Sequence, residues 1–115
     1  MEPKNDLIAM DINELQALGG FVDAAPVPKE ITWKGPDGTP LKATIHIVRQ
    51  PFGVVESTFS TGEADRSQGA RMIHLAVRLG KDASEQLTYE QAYNLLPSLA
   101  WAMVGAINEA HAPKV

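Results

Sequence analysis

Residues 30–49, EITWKGPDGTPLKATIHIVR, carry the pattern that decides the fold. Ahead of the turn, Ile31 and Trp33 point one way while Glu30, Thr32 and Lys34 point the other. After it, Leu41, Ala43, Ile45 and Ile47 share a face opposite Lys42, Thr44 and His46. Successive side chains leave a pleated backbone on opposite sides, so alternation of this kind marks strands with one wet face and one dry face. The connection Gly35-Pro36-Asp37-Gly38 suits a tight turn. Pro36 presets φ, Asp37 tolerates bridge or left-handed geometry, and Gly38 accepts a positive φ without a Cβ clash. A β-hairpin over 29–50 follows, closed by Pro51, which cannot donate to a ladder.

Downstream of the hairpin the pattern lapses. Phe52, Val54, Val55 and Phe59 are apolar enough to touch a core, but residues 60–69 (STGEADRSQG) are polar and aperiodic, and a flexible loop is expected over about 60–70. Alternation returns in 71–79. Ile73, Leu75, Val77 and Leu79 form a uniformly apolar set against Met72, His74, Ala76 and Arg78. That predicts a third antiparallel strand, with a helix over 70–79 as the rival reading. Thr88-Tyr89-Glu90-Gln91 is a capping box, in which Thr88 and Gln91 satisfy each other's amides at a helix start. From there Ala92, Leu95, Leu96, Leu99, Met103, Ala106, Ile107 and Ala110 recur at helical spacing. Pro97 fits the first turn of a helix far better than an interior, so a short helix to about Leu96 is followed by a longer one ending near His111.

Upstream, Asp11-Ile12-Asn13-Glu14 is a second capping box and predicts a short helix over 12–18, with Gly19 at its left-handed end. Residues 21–28 (FVDAAPVP) read as an extended connector. The ends, 1–8 and 112–115, are expected to fray. The assembled expectation is a single α+β domain over 1–115: a small antiparallel sheet of about three strands, the hairpin 29–50 plus the strand 71–79. It packs against C-terminal helices over 88–111 and carries a short N-terminal helix.

Composition narrows the function. A chain of 115 residues with 44% hydrophobic and 21% charged content is an ordinary globular domain. A net charge of −4, with Lys and Arg scattered singly, argues against a nucleic-acid partner. The absence of cysteine excludes disulfides, thiolate metal sites and a thiol nucleophile. No apolar run reaches the length of a membrane helix, and Glu2 and Asp6 stand where a secretory leader would be basic, so a soluble protein inside the cell is expected.

Chemistry-bearing patterns are missing. His46, His74 and His111 have no second ligand at i+2 or i+4, so no metal is expected. Ser57, Ser60 and Ser67 lack a nucleophile elbow, and no carboxylate pair stands in an acid–base setting. Neither catalysis nor a cofactor is expected, and binding or assembly is the remaining class. Trp101 and Val104 fall on a different side of the last helix from Leu99, Met103 and Ile107. A helix apolar on more than one side is either deeply buried or used against a second chain.

The order of segments carries a resemblance. DINELQALGGFV, a proline-containing connector, KEITW before a Gly/Asp turn and an alternating strand, and the ending LTYEQAYNLLPSLAWAMVGAINEA resemble the tail assembly chaperones of long-tailed, siphovirus-like bacteriophages. The resemblance implies a small protein of the infected host cytoplasm, absent from the mature virion. It would bind the helical tape measure protein and recruit tail tube subunits during tail morphogenesis. Leu99, Trp101, Met103 and Val104 are the candidate partner-binding residues, since aromatic residues and Met concentrate at interface centres. For Leu99 and Met103 a plain core role is an equal reading. A free sheet edge makes self-association a further expectation. The alternative is a structural tail or connector protein retained in the virion.

Overall fold

The computed structural model describes residues 10–59 and 67–112. In chain order the elements are α1 (Ile12–Ala17), β1 (Val27–Lys34), β2 (Pro40–Ile47), α2 (Phe52–Phe59), α3 (Gln68–Ala76), β3 (Val77–Arg78), α4 (Tyr89–Tyr93) and α5 (Pro97–His111). The sheet is antiparallel with strand order β1-β2-β3, and helices cover one face, giving the α+β class expected.

The hairpin forms as its alternation requires. Ile31 lies opposite Ala43, Trp33 opposite Leu41 and Lys29 opposite Ile45, so the apolar set of both strands shares the helix-covered face. Glu30/Thr44 and Thr32/Lys42 face the other way. At the turn Gly38 has φ +83°, and Asp37 accepts a hydrogen bond from the Thr39 amide at 3.0 Å. That bond holds the Asp37 carboxyl below its ordinary pKa.

The segment 71–79 is where the expectation of a strand is corrected. Residues 68–76 are helical, and only Val77 and Arg78 pair with Ile47 and His46 of β2. Alternation misled because the same residues also fit a 3.6 period: Ala70, Ile73, Ala76 and Val77 lie on one buried side. The start signal was local. The Ser67 side chain accepts from the Ala70 amide at 3.1 Å, an N-cap in a stretch expected to be loop. Of that loop, residues 60–66 lie outside the described residues, while Gln68 and Gly69 belong to α3. Phe52–Phe59, which showed no clear period, is also helical. The fraying expected at 1–8 and 113–115 likewise lies outside the described residues, and Ala112 closes α5 as its C-cap.

The C-terminal helices start as predicted. Thr88 accepts from the Gln91 amide and the Gln91 side chain accepts from the Thr88 amide, a complete capping box. Pro97 opens α5 in its first turn, where its missing N–H costs nothing. Replacing Thr88 by alanine should therefore cost about 1 kcal/mol, read as a lower urea midpoint with an unchanged slope.

A single core joins the two halves. Ile31, Ile45 and Ile47 of the sheet meet Met72, Ile73 and Ala76 of α3 and Met103 and Ile107 of α5. The end of α5 is tied to the hairpin by His111. Its Nε2 accepts from the Gln50 amide at 2.9 Å, and its Nδ1, 2.8 Å from the Ile107 carbonyl, carries the proton.

Candidate functional site

α5 is apolar on several sides, and each meets something different. One side, Met103, Ala106 and Ile107, is buried in the core. A second runs along β1, where Ser98 donates to the Lys34 carbonyl and Glu109 pairs with Lys29 at 2.8 Å. The Lys29 hydrogen bond and charge hold the Glu109 carboxyl below its ordinary pKa. A third side, Pro97, Ala100, Trp101 and Val104, faces α3 and α4 across an open hollow.

That hollow is concave for a simple reason: its floor is small and its rim is large. Gly69, Ala70, Ala92 and Ala100 lie where larger side chains would close it, while Tyr93, Leu95 and Trp101 stand around it. It encloses about 290 Å³. Past Val104 and Gly69 it continues into a second hollow of about 290 Å³, lined by Val55, Met72, Ile107 and His111. The two share Gly69 and Val104, so together they form one groove between α3 and α5. Among the described residues no Asp, Glu, Lys or Arg lines it, and its ionisable side chains are those of Tyr93 and His111.

The structure divides the four candidate residues named from sequence. Trp101 is 72% exposed on the groove rim, and Val104 is half-buried at the junction of the hollows. Met103 is 3% exposed and belongs to the core, because it shares its stripe with Ile107 and Ala106. Leu99 is half-buried against the same core. Ala70, Ile73, Tyr93 and Leu95 complete the groove and were missed by sequence reasoning. Ile73 lies in the part of α3 read as a strand, and Ala70 in the part read as loop. The Ser67 N-cap followed by apolar residues at i+3 and i+6 was the signal available.

A second apolar surface lies at the other end of the chain. α1 forms behind its predicted cap, with Asp11 accepting from the Glu14 amide at 2.7 Å, yet it buries no residue. Met10, Ile12, Leu18, Phe21 and Val22 are all exposed. The connector that follows is held loosely by Asp23 and Arg49, 3.9 Å apart at the surface.

Other chemistry is sparse. Among the described residues no group of His, Asp and Glu gathers closely enough to hold a metal ion, and no helix is long and apolar enough to cross a membrane. His74 is engaged by the Leu87 carbonyl at 2.7 Å. Asp82 is held below its ordinary pKa by the Ser84 hydroxyl and serves a turn. What the arrangement offers is contact surface.

Comparison with known proteins agrees with that character. The family model described as phage tail assembly chaperone, TAC, matches residues 13–111. No curated protein and no solved structure matches the chain.

Proposed function

The chain belongs to the phage tail assembly chaperone family, and from that premise we propose that it holds the tape measure protein through the groove between α3 and α5 while tail tube subunits are recruited. The observation that carries this reading is an open apolar groove whose described lining holds no Asp, Glu, Lys or Arg, with a 72% exposed tryptophan on its rim. A long helical client presents an apolar stripe that must stay covered until the tail tube encloses it. Helices bind such grooves by inserting residues spaced one turn apart, and the two hollows meeting at Val104 offer adjacent seats for such a stripe. A lining whose described residues carry no carboxylate or ammonium group avoids the cost of burying an unpaired charge under the client.

Recruitment of tube subunits is assigned to the exposed apolar segment 10–22, whose helix α1 is outside the groove lining while its Gly19–Val22 end reaches His111 at the groove's far end. The protein acts in the host cytoplasm and leaves before the virion matures.

The test is co-elution. The full chain should co-purify with helical fragments of the tape measure protein of its own phage, and separately with the tube protein. Loss of the second but not the first is expected for a chain carrying Ile12→Asp and Leu18→Asp. Mass spectrometry of purified virions should find no copy of it. Stoichiometric recovery from virions would favour the structural tail or connector reading instead.

A further inference from the structure

The free edge of β1 is self-complementary, and we infer that two copies of this chain pair through it, antiparallel about Thr32, to make one continuous sheet. The ladder fixes which backbone groups are spare. Gly35 donates to the Thr39 carbonyl, so the register bonds Trp33, Ile31 and Lys29 inward to β2. On the far side of β2, Val48 donates to the Ala76 carbonyl, which independently gives the even-numbered β2 residues to β3. Glu30, Thr32 and Lys34 therefore turn their amides away from the sheet. Among the described residues Glu30 and Thr32 have no backbone partner in the chain, and the Lys34 carbonyl takes the Ser98 hydroxyl.

An unpaired edge invites another strand, and proteins normally blunt it. Here the side chains are complementary to the same strand reversed. With Thr32 facing Thr32 of the second copy, Glu30 faces Lys34 and Lys34 faces Glu30 on the wet side, while Ile31 faces Trp33 on the dry side. Threonine pairs, opposite charges and an aromatic against a β-branched residue are the cross-strand combinations that stabilise a sheet. Sliding the register by one pairing step so that Glu30 meets Glu30 would oppose like charges. The helix layer leaves room as well. Beside Glu30, Ile31 and Thr32 runs an open groove of about 220 Å³, walled on α5 by Ala102, Gly105, Ala106 and Glu109. A Cβ placed at Gly105 would meet nothing within 4 Å, so the helix surface facing this edge is uncovered.

Sedimentation equilibrium of the full chain tests the pairing, with far-UV circular dichroism to confirm folding. The wild type should be a dimer. Thr32→Pro removes an outward amide and no ladder bond, and should leave a folded monomer. Glu30→Lys leaves like charges facing each other twice and should weaken the dimer about tenfold. Adding Lys34→Glu to it should restore the wild-type affinity. The inference is overturned by a wild type that stays monomeric at every concentration, by a dimer that survives Thr32→Pro, or by a charge swap that fails to rescue. The client groove lies on the opposite side of α5, so failure here leaves tape measure binding untouched.

Discussion

An Ile47→Ala chain should be less stable than wild type by about 3 kcal/mol and melt about 10–15 °C lower. Ile47 is 0% exposed and is the one residue of β2 that lies opposite both Val27 of β1 and Val77 of β3. Its side chain enters the layer where α3 and α5 meet the sheet. Truncation removes transfer free energy and leaves a cavity that three strands and two helices cannot all collapse into. Against a total stability of about 5–15 kcal/mol for a domain, that loss is large. Thermal and urea unfolding followed by far-UV circular dichroism measure it. A loss below about 1 kcal/mol would mean that the sheet and helices are not packed as one core.

Trp101→Ala should have the opposite profile: unfolding free energy within about 0.5 kcal/mol of wild type, but binding to a tape measure fragment weakened about thirtyfold or more. The first half follows from its exposure, since the residue is already 72% exposed to water. The second follows from its place on the groove rim, where an aromatic anchor next to Val104 would be desolvated by a client helix. Met103→Ala provides the contrast. Met103 is 3% exposed, so its loss should lower stability before it touches binding. Fluorescence adds an internal check, because Trp33 is the only other tryptophan. A client-induced blue shift present in the wild type should vanish in Trp101→Ala. Equal affinity for the client in both chains would remove the groove from the proposed function.

The two variants separate what holds the fold from what the fold presents. Ile47 lies on a face that the hairpin's alternation assigned to the interior, and it is there. Trp101 lies on a helix whose period was equally plain, yet the period did not say which of its apolar sides would be covered. Leu99, Met103 and Ile107 sit against the sheet because α5 crosses β1 and β2. Trp101 and Val104 are left facing α3, and α3 itself was read as a strand. An alternating apolar set and a helical one share several positions over nine residues, and only contact with α4 and α5 decides between them.

The sequence alone determined the hairpin, its turn, the N-cap at Asp11, the capping box at Thr88, the helix start at Pro97 and the α+β class, because each rests on steric and hydrogen-bonding rules that act within a few residues of one another. Tertiary structure decided the helical state of Gln68–Ala76, the reduction of the third strand to Val77–Arg78, and the groove between α3 and α5. Those features depend on which surfaces distant segments bury against each other, and burial is a property of the assembled chain that no local window contains.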